Sequence, residues 1–232
     1  VVSGCASLNG PASVSSLDRS PEVRAQSSVR DVASTVSAQI EHGRPNAIVD
    51  AAGWIIGVPD KLLLWNSRVK NHNISPTTER TIRNYLQDHQ LGDVKVRLNQ
   101  YAPGDEWRRL IATREIGPGW KYSLGALSVA GYTILPGRIF GGDNYNPYTN
   151  TISLYSDVPS IAIHEGAYAK DNASREYNGT YGALQQVPVV NMWHETVATK
   201  DALHYVDHQA SDLSEEAPKI LHPLYGVRLG SS

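Results

Sequence analysis

Residues 149–171 constrain the fold more than any other segment. From Thr149 to Tyr155 the chain alternates, with Thr151, Ser153 and Tyr155 on one side and Ile152 and Leu154 on the other. That is the pattern of a half-buried strand, and its polar side predicts an edge strand. Ser156-Asp157-Val158-Pro159 then reads as a helix start: a polar cap followed by a proline that the first turn tolerates. The helix that follows carries Ile161, His164, Glu165, Tyr168 and Asp171, and its small residues Gly166, Ala167 and Ala169 allow close packing. His164 and Tyr168 are one turn apart and share a face.

Around this segment the chain alternates between helical and extended patterns. Residues 29–42 show helical spacing through Val29, Val32, Val36 and Ile40. Residues 47–56 are apolar and end at Gly57 and Pro59, and Leu62-Leu63-Leu64-Trp65 reads as a short buried strand. Ser75-Pro76 opens a helix that runs to about Gln90. Val94 to Leu98 alternates as a strand and completes a strand–helix–strand unit. A short helix is expected over 105–114, and a β-rich stretch over 131–140 leads into the loop Gly141-Gly142-Asp143-Asn144. Trp120 to Pro136 is the nearest approach to an apolar span, but its lysine, glycines and serines mark it as a core segment and not a membrane helix. A last helix is expected over 191–207. This order predicts an α+β fold, with a small mixed sheet whose edge strand packs against the helix of residues 158–171. Residues 29–232 form one domain in this reading.

The formal net charge of −2 and the lack of a basic run exclude an electrostatic footprint for nucleic acid. The chemistry lies instead in His164-Glu165-Gly166-Ala167-Tyr168. In H-E-x-x-H, two histidines one turn apart face a single metal, and the glutamate beside the first serves as general base. Zinc also needs a third protein ligand and an open position for water, whose pKa it lowers. A bare His-Glu pair carries little, and the chain has two, His164-Glu165 and His194-Glu195. The context carries the signal: a strand leads into the helix, and about thirty residues on, Glu195-x-x-Ala198-x-x-x-Ala202 offers a second helix with a small-residue face. His194 is a weak alternative ligand, turned about 100° from Glu195 on a helix. A structural reading stands beside this one. His164 can be a satisfied core histidine, Tyr168 simple packing with a bonded hydroxyl, and Glu195 a helix-surface charge.

This layout resembles the zincin metallopeptidases, and among them the gluzincins, whose third ligand is a glutamate on a downstream helix. It is also similar to a group of bacterial lipoproteins of unassigned function that carry His-Glu-Gly-Gly-His-Ala-Lys-Asp where this chain has residues 164–171. The close part of the likeness runs from Asn146-Pro147-Tyr148-Thr149-Asn150-Thr151-Ile152 to Lys170-Asp171, and a looser part covers most of 60–230. The resemblance implies a zincin-like fold, zinc as cofactor, His164 and Glu195 as metal ligands and Glu165 as the catalytic base. Tyr168 falls where the second histidine belongs. Three outcomes are open there: Tyr168 ligates as a phenolate, which requires a metal to drive off a proton with a reference pKa of about 10; Asp171, one turn further, helps to bind; or no metal is held tightly.

The single cysteine, Cys5, ends Val2-Ser3-Gly4-Cys5, which resembles a bacterial lipobox. The Ser/Ala/Pro-rich stretch after it suits a flexible tether over residues 1–28. The motif implies lipidation of Cys5, membrane contact through that anchor and residence in the cell envelope, and Ser7 points to the outer membrane, facing the periplasm. Two functions are therefore expected: a lipid-anchored zinc-dependent hydrolase acting on a peptide or protein substrate, or a catalytically inactive zincin-fold module that binds an envelope partner.

Overall fold

A mixed four-stranded sheet organises the computed structural model, which describes residues 31, 35, 36, 39–185 and 187–230. Residues 1–28, expected as a tether, lie outside the described residues, and so does Cys5. The strands are β1 (Ile40–His42), β2 (Lys95–Leu98), β3 (Asn144–Asn146) and β4 (Thr151–Leu154), in the spatial order β1-β2-β4-β3. β1, β2 and β4 are parallel, with Ile40 opposite Val96 and Val96 opposite Ile152; β3 runs antiparallel to β4, with Tyr145 opposite Ile152. The helices are α1 (Ala47–Ile56), α2 (Val58–Leu63), α3 (Pro76–Asp88), α4 (Pro103–Ala112), α5 (Ala126–Ile134), α6 (Pro159–Ala173), α7 (Asn178–Leu184), α8 (Pro188–Gln209) and α9 (Ala217–Gly230). The fold is α+β, as expected.

The two faces of the sheet differ. Val96, Leu98, Ile152 and Leu154 belong to the main core with Ile82, Tyr85 and Leu86 of α3, Ile163 and Ala167 of α6, and Ala198, Ala202 and Val206 of α8. Each such side chain gains roughly 1.5–3 kcal/mol on burial if it is a large aliphatic. The other face carries Lys95, Arg97, Thr151 and Ser153, all buried. Arg97 is fully enclosed; it donates to Glu106 at 2.9 Å and to Glu41 at 3.0 Å, and it also pairs with Asp105. A guanidinium can be buried at this cost only when its donors are met by carboxylates.

The alternation in residues 149–155 is therefore real, but β4 is not the edge strand. Its polar face is covered by protein, and the edges are β1 and β3. The loop between β3 and β4 is made by the residues that carry the close resemblance: the Tyr148 N–H donates to Asn146 Oδ1 at 3.0 Å, and Asn150 adopts a left-handed φ of 51°, which Asn tolerates better than most residues. Other expectations also need correction. Ile40, expected in a helix, is the first residue of β1, so β1 supplies the first strand of the strand–helix–strand unit; Val29 and Val32 of the expected helix lie outside the described residues. Leu62-Leu63-Leu64-Trp65 is the end of α2 and a turn. Pro59 at the head of the segment favours a helical turn, and only Leu64 is buried. Residues 131–140 are not extended. Tyr132, Thr133 and Ile134 finish α5, where Thr133 Oγ1 donates back to the Val129 carbonyl and accepts from Trp107 Nε1, so tertiary contacts override β propensity. Between Trp120 and Pro136 only Lys121, Gly125 and Val129 are buried, so the segment lends one face to the core and no more. No helix among the described residues is long and apolar enough to cross a membrane.

The start of α6 also differs from expectation. Its N-cap is Val158, with no side-chain cap bond. Asp157 instead pins the start of α3, accepting from Ser75 N–H at 3.0 Å, Ser75 Oγ at 2.6 Å and Thr78 Oγ1 at 2.6 Å. Ser156 turns to Asp143. Gly166 lets α3 approach α6, since a Cβ there would lie 2.6 Å from Tyr85 Cδ1.

Candidate functional site

α6 and α8 pack face to face, and the site lies along their seam. His164 is 1% exposed. Its Nε2 lies 3.2 Å from Thr199 Oγ1 and 3.9 Å from Glu195 Oε2. Glu195 and Thr199 are one turn apart on α8, so they reach His164 together. On the other side of the ring, Nδ1 is 3.8 Å from Glu165 Oε1. Two ligands on a tetrahedral zinc with bonds of about 2 Å lie about 3.4 Å apart. The His164–Glu195 separation is near that value, so these two expected ligands are brought together.

Tyr168 stands where the resemblance puts the second imidazole. Its ring meets His164 edge-on, with centroids 4.7 Å apart and planes at 74°, and stacks on His194 at 4.4 Å and 28°. It is a wedge between two imidazoles. Asp171 is engaged with His194. One of its oxygens is 2.8 Å from His194 Nδ1, and it also accepts from Arg175 and from the Tyr181 hydroxyl. Burial opposes the charge of Asp171, but the hydrogen bonds from His194, Tyr181 and Arg175 prevail and hold its carboxyl below the usual range. The same contact acts in reverse on Tyr181: burial, and then the bond to Asp171, push its phenol up to about 12.

The seam opens into a cavity of about 350 Å³. Asn144, Tyr145 and Pro147 form its β3 side, Glu165 and Tyr168 come from α6, and Asn191, His194 and Glu195 come from α8. Gln185 and Asp143 complete the lining, of which His164 is not a part. Asp143 accepts from the N–H groups of Tyr155 at 2.7 Å and Ser156 at 2.9 Å. Burial nonetheless pushes its carboxyl upward, and the neighbouring Glu165 adds to the shift. A cavity of similar size, about 390 Å³, lies over the polar face of the sheet, but Glu106 in its lining is already committed to Arg97.

Zinc, the cofactor that the resemblance implies, fits this donor set poorly. His164 and Glu195 converge, Tyr168 inserts a ring where a nitrogen is needed, and Asp171 serves His194. Among the described residues, no three histidine, cysteine, aspartate or glutamate side chains come together in a way that could hold one ion. No family model, no curated protein and no solved structure matches this chain.

The sequence reading brought His164, Glu165, Tyr168 and Glu195 to one place. It missed the role of His194, whose hydrogen-bonded partner Asp171 lies 23 residues before it, and it missed Thr199 and Tyr181. The signal for Thr199 was present: four residues after Glu195 on a helix is the same face.

Proposed function

We propose that the chain is a degenerate gluzincin-like lipoprotein of the bacterial cell envelope, in which the former catalytic pocket is kept as a binding site without a tightly held metal. The observation that carries this reading is Tyr168, wedged between His164 and His194. The rest of the arrangement favours a retained site over a generic core. Glu165 is fully buried and Glu195 is 3% exposed, and a carboxylate is costly to bury, yet both line the cavity beside His194. A phenol is a poor zinc ligand at neutral pH, and three-ligand sites lose most of their affinity with one ligand gone. The second reading, a zinc-dependent peptide hydrolase with Glu165 as base, rests on the proximity of His164 and Glu195.

Metal analysis of protein purified without chelator, paired with an assay on unstructured peptides, separates the two. The binding reading predicts wild type far below stoichiometric zinc and no metal-dependent cleavage. Stoichiometric zinc, lost in Tyr168→Phe, would establish the hydrolase reading instead. The envelope assignment rests on Val2-Ser3-Gly4-Cys5. It predicts lipid on Cys5 by mass spectrometry of the full-length precursor and release from membranes in Cys5→Ser; a soluble, unlipidated wild type contradicts it.

A further inference from the structure

The helices α1 and α2 are inverted. A helix on a globular protein normally buries its apolar stripe and leaves the polar face to water. Here the only buried residue of α1 is Gly53, and the only one of α2 is Lys61. The large apolar side chains Trp54, Ile55, Ile56, Leu62, Leu63 and Trp65 are exposed, Trp65 by 92%, Ile55 by 64% and Leu62 by 63%. Gly57 closes α1 and opens α2, so all six flank one junction. Exposed apolar side chains grouped in this way mark a surface that a partner covers.

Every charged side chain between Ala47 and Trp65 is already partnered within the protein. Asp50 accepts from Arg138 at 2.7 and 2.9 Å, and Asp60 pairs with Lys70 at 2.5 Å. Lys61 Nζ donates to the carbonyls of Trp54 and Lys70, each at 3.1 Å, and stands 5.0 Å from the centroid of the Trp54 ring. This face can leave water without stranding a charge, which is the step that makes burial costly. Trp65 has a left-handed φ of 47°. A bulky residue is rare there, and Gly or Asn suits that backbone better, so the local structure gives no reason for the indole. Tryptophan has an apolar body and a polar tip, the combination found at the headgroup level of a bilayer.

We infer that the face of α1 and α2 from Trp54 to Trp65 docks on a phospholipid bilayer, lying in its interface and not crossing it. The choice of a bilayer over a second copy of the chain rests on the envelope reading given above. Even fully extended, the residues from Cys5 to Ile40 span at most about 120 Å, so a lipid on Cys5 keeps a bilayer within reach of β1 and α1. Tethering of this kind makes the bilayer far more concentrated around the face than a freely diffusing partner is.

The test is co-sedimentation of the full chain, carrying Cys5→Ser so that no lipid on Cys5 takes part, with sucrose-loaded dioleoyl-phosphatidylcholine vesicles. Binding is expected to saturate with lipid and to persist in about 1 M sodium chloride, where surface charge attraction is screened. Vesicles with brominated acyl chains should quench part of the tryptophan fluorescence, and the double variant Trp54→Phe, Trp65→Phe should lose that quenching. Trp65→Asn should weaken partitioning at least about tenfold, the factor lost with one large apolar side chain, while urea denaturation shows a stability no lower than that of the parent chain, because Asn tolerates the left-handed backbone. Leu62→Gln should independently weaken partitioning at least about tenfold. The inference is overturned if the chain stays in the supernatant at about 1 mM lipid, if salt abolishes the binding, or if both folded variants partition as the parent does. A dimer in sedimentation velocity that Trp65→Asn dissociates would also overturn it and make a second copy the occupant. Absence of lipid on Cys5 of the wild-type precursor would instead remove the envelope reading; the vesicle assay does not involve that lipid, so the two failures are told apart.

Discussion

Asp171 holds Nδ1 of His194 at 2.8 Å, and this contact ties the helix bearing His164 to the helix bearing Glu195. Both residues are buried. A carboxylate that fixes one nitrogen of an imidazole decides which nitrogen the ring offers elsewhere. Asp171 thus acts on the cavity through His194, and Arg175 and Tyr181 hold it in that orientation.

Asp171→Asn should cost about 1.5–3 kcal/mol, the range for hydrogen bonds to a charged group. Urea denaturation measures that loss. Imidazole nitrogen NMR supplies the second readout: wild-type His194 should show a protonated Nδ1, and the variant should lose that preference. An unchanged tautomer would mean that Asp171 does not orient the ring.

Asp157 gives a prediction about acid stability. Burial works against its charge, but the bonds from Ser75 and Thr78 hold its carboxyl below the ordinary value. A depressed carboxyl contributes stability that is fully present above its unfolded value, about 3.9, and that is lost as the pH falls through the lower folded value. Asp157→Asn should therefore lower stability by about 1–3 kcal/mol at pH 7, and the gap from wild type should close at the acid end. A gap that is constant with pH would assign the effect to shape and not to charge.

Gly166 tests the packing of α6 on α3. A methyl at this position would sit 2.6 Å from the ring of Tyr85, which is fully buried. Gly166→Ala gains helix propensity of nearly 1 kcal/mol, but overpacking typically costs about 1–3 kcal/mol. The prediction is net destabilisation, partly relieved when Tyr85→Leu is added. Additive effects in the double variant would show that the two side chains do not compete for the same space.

Much of the site was legible because it is local. The spacing of His164, Glu165 and Tyr168 within one helix, and of Glu195 and Ala198 within another, follows from the helical repeat, and so does the helix that Ser75 and Pro76 open. What was not legible depended on partners distant in sequence. Thr151 and Ser153 look solvent-facing, but Arg97 and its carboxylates lie on the same buried face. Asp157 looks like the cap of its own helix, yet it bonds 82 residues back to Ser75. Leu62-Leu63-Leu64-Trp65 is too short for periodicity to separate strand from helix. Asp171 shares a helix with His164, but its partner His194 lies on another helix.

The central claim is that Tyr168 vacates a metal site whose other members remain in place. The direct measurement is zinc affinity, by competition with a chromophoric chelator, for wild type, Tyr168→His and Tyr168→Phe. Restoring the imidazole adds a third ligand to His164 and Glu195, so Tyr168→His should bind zinc several orders of magnitude more tightly than wild type, with Tyr168→Phe as weak as wild type. Tight binding by wild type that Tyr168→Phe abolishes would contradict the claim and make the tyrosine a ligand. If wild type and Tyr168→His both stay metal-free at micromolar zinc, there is no site to restore, and His164 and Glu165 are structural.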